Sequence, residues 1–305
     1  GQMDLNIKSP IVWEFYRNTL QTLAGYGASI VRLDAFAYAP KEPGEKNFLN
    51  DPATWELLDK VKVLADEYGL QLLPEIHASY SEKIYQTVAD KGYMTYDFFL
   101  PGLVLDAIEN KDGSYLAAWA DELRDHQIHT VNMLGCHDGI PLLDLKGMLP
   151  EERIQSLIGT IVARGGMVKD LHGQKNIYYQ VNATYYSALG ADDDKMLLAR
   201  AIQLFMPGKP QVWYLVEAVR HAGAGGHKEI NRTNLNAEQI NTALQRDVVQ
   251  RQLDLLRLRK THPAFHSDAE ITTTWNVPVL NICWKHGADM IVLRADLVKD
   301  KFEIQ

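Results

Sequence analysis

Three carboxylates stand in short polar motifs that each follow an apolar, strand-like run. They are Asp34, Glu75 and Asp138. In retaining glycoside chemistry, one carboxylate attacks the anomeric carbon and a second, protonated, carboxyl group about 5–5.5 Å away gives a proton to the leaving oxygen. A third carboxylate can stabilise the charge that develops on the sugar ring. A divalent-metal hydrolase could use the same acids, but it needs further ligands at tight spacing, which the sequence does not show.

Each carboxylate also has a purely structural interpretation. Asp34 can pair with Arg32, because residues two apart on a strand share one face. Glu75 shares a strand face with His77 in the same way, and Asp138 opens an Asp-Gly pair, a common turn signal. An arginine beside a carboxylate favours its ionised form, which a nucleophile requires. At successive strand ends of one sheet, the three acids together favour the catalytic interpretation.

The elements that carry these motifs alternate between strands and helices. Apolar positions recur with helical spacing between the strands. Pro10 suits the first turn of a helix that Gly25 ends, and a further helix is expected at 80–91. Parallel strands with right-handed crossovers end at one edge of the sheet, so the three acids should meet there. A doubly wound sheet and a (β/α)₈ barrel both fit the alternation. The predicted strands of this part cover 29–35, 70–77, 94–98 and 129–134.

The alternation breaks after Asp138. A long segment rich in glycine and tyrosine runs to about residue 201, and insertions of this length after a strand are often functional lids. From His262 onward, short alternating runs predict a small all-β module. Between these parts we predict a helix at 195–205, a strand at 211–216, a polar loop at 221–234 and a helix at 247–260.

Composition limits the partners and the compartment. The 305-residue chain is 23% charged and 46% hydrophobic, which is typical of a globular protein, and its net charge is −8. Without a basic run, nucleic acid and anionic membranes are poor partners. Cys136 and Cys283 lie far apart in the sequence. We therefore expect both to be free thiols in a reducing cytoplasm. We expect no membrane span and no signal peptide, and the opening Gly1-Gln2-Met3 suggests a chain cut from a longer one.

The motifs, taken in order, resemble three signature regions of the α-amylase superfamily of glycoside-active (β/α)₈ barrels. These motifs are Arg32–Ala35, Glu75–His77 and His137–Gly139. Two further segments, Tyr179–Gly190 and Ile230–Arg232, resemble the sucrose phosphorylase branch of that superfamily. The likeness extends over essentially the whole chain.

The resemblance implies an α/β fold, a (β/α)₈ TIM barrel of the α-amylase type with an inserted subdomain and a small C-terminal β domain. An upstream signature region with Asp and Asn-His is absent, so the chain should hold only about the last five strands. Five strands cannot close an eight-stranded barrel. The implied division is barrel strands 4 to 7 in 1–138, a lid in 139–201, barrel strand 8 and the last helix in 202–262, and the β domain in 263–305.

The resemblance also implies roles for individual residues. Asp34 matches the nucleophile, Glu75 the general acid/base and Asp138 the stabiliser of the transition state. Arg32 and His137 match residues that hold the glucosyl unit. Acceptor or phosphate contacts are implied for Tyr38, Tyr179, Gln180 and Arg232. The resemblance implies no cofactor and no metal.

The implied activity is that of a retaining α-glucoside phosphorylase, which passes a glucosyl unit to phosphate through a covalent intermediate and yields α-glucose 1-phosphate. Its partners would be a small α-glucoside and inorganic phosphate. Whether the protein forms a homodimer is left open by the sequence. Ile177 stands where that branch has an acidic residue, and 227–234 departs from the usual Asn-Arg-His. A phosphorylase of glucosylglycerate or sucrose 6-phosphate is therefore an alternative, as are an α-glucosidase of the same fold and an inactive carbohydrate-binding remnant.

Overall fold

The computed structural model describes residues 4–170, 178–215 and 227–305. The chain forms two compact units. The first unit comprises Gly1–His77 and Ile84–Tyr96, and the second comprises Ala78–Lys83 and Asp97–Gln305. Within the described ranges, no helix has the length and apolarity needed to cross a membrane.

The first unit is built on a pair of parallel strands with helical connections. Strand β1 pairs with β2 from Ile30↔Gln71 to Leu33↔Pro74. The core between helices and strands is apolar because α2 repeats Leu57, Leu58, Val61, Leu64 and Ala65 along one face. The elements are α1 (Pro10–Gly25), β1 (Ile30–Leu33), α2 (Ala53–Asp66), β2 (Gln71–Pro74) and α3 (Ile84–Asp90).

Helix α1 begins and ends where the sequence predicts. Pro10 occupies the first turn, where its missing N–H costs no hydrogen bond. The helix ends at Gly25, and Gly27 takes a left-handed conformation with φ of 87°. The N–H of Ala28 then returns to the carbonyl of Leu23 at 3.0 Å, which satisfies a carbonyl at the helix end. The chain is thereby turned directly into β1.

One predicted helix, at 80–91, is interrupted. A 3₁₀ turn spans Tyr80–Glu82, and α3 begins only at Ile84. Ser79 and Glu82 form a capping box that closes the short turn, and Lys83 has φ of 54°, a conformation that no helix continues through. The interruption follows from this local cap, which periodicity alone does not reveal.

Strand β3 (Thr95–Asp97) lies where the chain passes from the first unit to the second. Helix α4 is buried along most of its length, and α8 is almost entirely buried, so both form the centre of this unit. Its next elements are α4 (Leu100–Asn110), α5 (Ser114–Asp125), β4 (Thr130–Asn132), β5 (Ile140–Pro141), α6 (Glu151–Ala163), β6 (Met167–Asp170), β7 (Tyr178–Asn182), α7 (Tyr185–Ala188), α8 (Asp193–Phe205), β8 (Lys209–Pro210), α9 (His227–Arg232), α10 (Ala237–Leu244) and α11 (Asp247–Thr261).

Two predictions in this unit are wrong. The strand expected at 211–216 is instead the two-residue β8, parallel to β4, and its described residues 211–215 form no strand. Pro210 offers no N–H to a ladder, and Gln211 makes one last bond to Asn132 at 2.8 Å. The loop expected at 221–234 contains the helix α9. This helix is short and mostly polar, so it has no apolar repeat from which a helix could be predicted.

The chain ends in an antiparallel sheet, which confirms the predicted all-β module. Its strands are ordered β12-β11-β10-β9. Leu280, Ile282 and Trp284 alternate with more exposed residues along β10 and form its buried face. The indole of Trp284 donates to the carbonyl of Phe205 at 2.6 Å and ties the sheet to α8. The strands are β9 (Glu270–Asn276), β10 (Val279–His286), β11 (Asp289–Asp296) and β12 (Lys301–Ile304).

Candidate active site

In the first unit, the parallel register places Asp34 and Glu75 at neighbouring strand ends. Leu33 pairs with Pro74, so the next residue of each strand leaves the ladder at the same edge. The N–H of Glu75 donates to the carbonyl of Leu33 at 3.0 Å, and the N–H of Phe36 donates to the carbonyl of Glu75 at 3.2 Å. The carboxylates follow the two strands with no intervening loop, as the sequence predicts.

Arg32 joins the two acids. Its Nη1 lies 2.5 Å from Oδ1 of Asp34, and its Nη2 lies 2.8 Å from Oε2 of Glu75. The Asp34 side chain is 75% exposed, whereas the Glu75 side chain is only 11% exposed. One carboxylate is therefore open to an incoming ligand, and the other is held in a polar pocket.

The surroundings of Glu75 favour its ionised form. Burial raises the pKa of this carboxyl group, but hydrogen bonds from His77 and from the N–H of Ala35, and the charges of His77 and Arg32, outweigh burial and lower the pKa to about 2. A general acid must instead carry a proton at neutral pH. The contacts seen here therefore favour the ionised carboxylate over the protonated form that a general acid needs.

Ala35 has a backbone conformation that the sequence does not signal. Its φ of 46° lies in the left-handed region, which alanine adopts at a cost. In this conformation its N–H donates to Oε2 of Glu75 at 2.8 Å. Strained backbone of this kind is concentrated at functional sites, and here it directs a donor at a predicted catalytic group. The sequence does not predict this left-handed conformation, because alanine rarely adopts it.

Two tyrosines lie near the cluster of Arg32, Asp34 and Glu75 in the first unit. Tyr38 packs on Phe48 with ring centroids 4.9 Å apart, and burial together with the charge of Glu75 raises the pKa of its hydroxyl. Tyr96, which sequence reasoning did not single out, places its ring 5.9 Å from the guanidinium carbon of Arg32. An aromatic face attracts a guanidinium group. Tyr96 thus supports the arginine that joins the two acids.

In the second unit, Asp138 lies in a tight turn. The backbones of Cys136 and Gly139 exchange two hydrogen bonds, of 3.2 and 3.1 Å. Gly139 has φ of 105°, and a Cβ there would lie 2.5 Å from the carbonyl oxygen of Val181 in β7. The turn therefore requires glycine both for its conformation and for its close approach to β7.

The Asp138 carboxylate contacts the side chains of His137 and Arg232, for which the resemblance implied contacts with the glucosyl unit and with acceptor or phosphate. His137 Nε2 lies 3.3 Å from its Oδ2, and Arg232 forms an ion pair with its Oδ1. Arg232 also donates from Nε to the carbonyl of His137 at 3.1 Å. Arg232 is thus engaged with the His137-Asp138 turn, although the resemblance implied a contact with acceptor or phosphate.

Gln180 and Tyr179, the other predicted acceptor residues of this unit, lie on β7 and differ in exposure. Gln180 is only 3% exposed, and its side-chain nitrogen donates to the carbonyl of Asp138 at 2.6 Å. Tyr179 is half-buried, with the ammonium of Lys169 5.4 Å from its ring centroid. The predicted acidic position, Ile177, lies outside the described residues.

Trp213 is a neighbour of the turn that sequence reasoning missed. Its ring centroid is 5.7 Å from that of His137, and its indole N–H donates to the carbonyl of Asn231 at 2.9 Å. The adjacent Tyr214 is 47% exposed. Two adjacent aromatic residues beside polar groups offer the flat, amphipathic surface on which a sugar ring can lie. The Trp-Tyr pair within the predicted strand 211–216 was the available signal.

A metal-like grouping also occurs at this turn. Among the described residues, ligand atoms of Cys136, His137 and Asp138 lie within 4.8 Å of one another. Arg232 already contacts the carboxylate, and its positive charge opposes a second cation there. The expectation that the site uses no metal stays a prediction.

The comparisons with known proteins identify the relatives of this chain. No protein-family model matches it. It is 51% identical over 321 residues to a sucrose 6(F)-phosphate phosphorylase from Ilumatobacter coccineus, covering all of this chain and 61% of that protein. It is 36% identical to a sucrose phosphorylase from Streptococcus mutans, with 88% of this chain and 57% of that protein covered.

Comparison with solved structures finds the same class of relatives, the sucrose-type phosphorylases. A crystal structure of sucrose 6F-phosphate phosphorylase from Thermoanaerobacter thermosaccharolyticum matches with a TM-score of 0.90 and 35% identity, over 98% of this chain and 62% of that one. An α-amylase from H. orenii matches with a TM-score of 0.63 at 14% identity, which shows a shared fold alone. The chain spans about three fifths of the length of the phosphorylase relatives named here, and it is homologous to sucrose and sucrose 6F-phosphate phosphorylases.

Proposed function

We propose that this chain carries the catalytic residues of a retaining α-glucoside phosphorylase. The observation that supports this most directly is the arrangement at the ends of β1 and β2, where Arg32 contacts an exposed Asp34 and a buried Glu75. An exposed, ionised carboxylate suits a nucleophile, and a shielded one suits proton transfer. Relatives at 51% and 36% identity are phosphorylases, which supports the same reaction.

The proposed reaction has two steps. In the first, an oxygen of Asp34 forms a bond to the anomeric carbon while the bond from that carbon to the leaving oxygen breaks, and the Glu75 carboxyl group protonates the leaving oxygen. In the second, a phosphate oxygen bonds to the anomeric carbon as the ester to Asp34 breaks. The attacking hydrogen phosphate gives its proton to Glu75, which restores the acid for the next turnover. Two inversions give net retention.

The neighbours of Glu75 have to change for the first step. Its pKa of about 2 in the free chain leaves almost no protonated form at neutral pH. A sugar that occupies the site would separate Glu75 from Arg32 and exclude water, and both changes raise the pKa of a carboxyl group. Substrate binding would therefore prepare the acid.

We propose that the His137-Asp138 turn of the second unit contacts the glucosyl unit. His137 and Asp138 offer a donor and an acceptor to sugar hydroxyls, and Trp213 offers an apolar face. Arg232 and Tyr38 are proposed contacts of phosphate or acceptor, in exchange for their present partners. We also propose that 139–201 forms a lid-like insert between barrel segments 1–138 and 202–262, followed by the β domain 263–305.

We propose sucrose 6-phosphate as the first substrate to test. The relative at 51% identity is a sucrose 6(F)-phosphate phosphorylase, while sucrose and glucosylglycerate phosphorylases match at 36% and 32%. Ile177, in place of an acidic residue, also argues against a site built around the hydroxyls of free fructose. A cytoplasmic location is proposed as well, because Cys136 and Cys283 are free thiols.

The test is phosphorolysis by the complete protein that its gene encodes. Sucrose, sucrose 6-phosphate, glucosylglycerate and glucosylglycerol are each incubated with and without phosphate, and α-glucose 1-phosphate and glucose are measured. Phosphate-dependent release of α-glucose 1-phosphate is expected. Release of glucose at the same rate in both conditions would identify a hydrolase, and no turnover with retained sugar binding would identify a carbohydrate-binding remnant. The mass of the protein in solution decides whether it is a homodimer.

A further inference from the structure

The backbone carbonyl oxygen of Asp138 accepts hydrogen bonds from two buried side-chain amides. Nε2 of Gln180 lies 2.6 Å from this oxygen, and Nδ2 of Asn182 lies 2.8 Å from it. The two side chains are 3% and 1% exposed. A carbonyl oxygen has two lone pairs, so the two amides satisfy it completely. Gln180 and Asn182 are two residues apart on β7 and therefore face the turn together.

The amide orientations follow from this contact. Turning either amide over would bring its oxygen against the oxygen of Asp138, which is repulsive, so the nitrogen must face the turn. Oδ1 of Asn182 is buried and has no hydrogen-bond partner within the described part of the chain. The bond to Asp138, and not a second contact at Oδ1, thus decides how Asn182 is oriented.

We propose that Gln180 and Asn182 are positioning residues for Asp138. By holding its carbonyl they fix the peptide that precedes Gly139, and the direction of the Asp138 carboxylate follows from that peptide. A group displaced by about 1 Å can lose about a hundredfold in rate. For Gln180 this role differs from the acceptor contact implied by the resemblance, since a buried amide would have to break its present bond to reach an acceptor. The inference rests on the proposed function.

The two roles of Gln180 are separated by removing the amide. A positioning residue supports transfer of the glucosyl unit to any acceptor, whereas an acceptor contact supports only transfer to phosphate. In Gln180→Ala, hydrolysis of α-glucosyl fluoride without phosphate and phosphorolysis with it should both fall about tenfold to a hundredfold. The KM for phosphate should stay within about twofold. Unchanged hydrolysis with a raised phosphate KM would overturn the proposal.

A charge-changing variant adds a pH signature. In Gln180→Glu, a protonated side chain still has one O–H donor for the Asp138 carbonyl, whereas an ionised one has none. Burial against a carbonyl oxygen raises the pKa of such a carboxyl group into the range where activity can be measured. The activity of Gln180→Glu relative to the parent protein should therefore fall as pH rises. A ratio that is independent of pH contradicts the inference, because loss of packing alone gives that result.

A measurement without substrate keeps the inference apart from the proposed function. The amide hydrogens of Cys136 and Gly139, which close the turn, should exchange at least about tenfold faster in Gln180→Ala than in the parent. The matched control is Gln252→Ala, since Gln252 is 2% exposed and also donates to a backbone carbonyl, that of Val248 at 3.1 Å. Equal exchange in both variants would refute the positioning role even if the parent had no phosphorylase activity. If exchange changes as expected in a parent without turnover, only the proposed function fails.

Discussion

Nη2 of Arg32 lies 2.8 Å from Oε2 of Glu75, so one arginine of β1 stabilises the carboxylate that follows β2. Together with His77 and the N–H of Ala35, this contact lowers the pKa of Glu75 against the effect of burial. This electrostatic stabilisation lies at the group that we propose as the proton donor. Stability and activity should therefore respond to Glu75 in different ways.

Replacing Glu75 by glutamine should make stability less dependent on pH. A folded-state pKa of about 2, below the ordinary value of 4.5, contributes stability that is present above the unfolded pKa and is lost as pH falls towards 2. The shift corresponds to about 3 kcal/mol at neutral pH. We expect Glu75→Gln to lower the free energy of unfolding at pH 7 and to match the parent near pH 2. Denaturant unfolding from pH 7 downward measures this, with the exposed Glu45→Gln as control.

The same variant should discriminate between leaving groups. A sugar leaving group needs a proton from Glu75, whereas fluoride or an activated phenol needs little. Glu75→Gln should therefore lose about a hundredfold to ten-thousandfold on natural glucosides and much less on activated ones. Steady-state kcat/KM for both classes measures the difference. Equal losses would assign Glu75 a structural role.

Removing the carboxylate of Asp34 should abolish turnover and leave the fold intact. The side chain is 75% exposed, so its loss removes little packing, but covalent catalysis cannot proceed without its nucleophile. We expect kcat to fall at least about a thousandfold in Asp34→Ala with an unchanged melting temperature. Asp268→Ala, at a side chain that is 81% exposed, is the control. Activity of Asp34→Ala within about tenfold of the parent would remove Asp34 from the mechanism.

Alanine at Gly139 should destabilise the turn that holds Asp138. Gly139 and Gly287 both have positive φ, of 105° and 60°, but only Gly139 has backbone within 2.5 Å of an added Cβ, whereas Gly287 has nothing within 4 Å. Gly287→Ala should cost about 1 kcal/mol for its conformation alone. Gly139→Ala should lower the free energy of unfolding by several times more than Gly287→Ala does, and it should also reduce activity. Thermal unfolding of both variants is the measurement, and similar costs would mean that β7 can move away.

Ile177 should shape the choice of glucoside. A site that binds fructose hydroxyls through an acidic side chain loses strongly when that side chain is absent, because its other polar groups stay unpaired. We expect the complete protein to prefer an α-glucoside with an anionic aglycone over sucrose, and Ile177→Asp to shift the ranking towards sucrose. Phosphorolysis of sucrose, sucrose 6-phosphate and glucosylglycerate tests this. A wide preference of the parent for sucrose, or an unchanged ranking in Ile177→Asp, would contradict it.

The sequence by itself determined the local relationships of this protein. Two-residue spacing on a strand placed Arg32 and Asp34 together, and the observed ion pair confirms it. Pro10 and Gly25 marked the first helix, and alternation marked the C-terminal sheet. These features depend on backbone periodicity and on residues with restricted conformations, both of which act over a few positions and are therefore visible in the order of residues.

Only the tertiary structure decided which distant groups share a contact. Gln180 and Arg232 resembled acceptor residues, yet both reach the Asp138 turn from 42 and 94 positions away. The left-handed conformation of Ala35 is likewise held by Glu75, 40 positions away. Such contacts exist because burial leaves polar groups to find partners wherever the packed chain brings them. No local pattern encodes that choice, since it depends on how the elements pack.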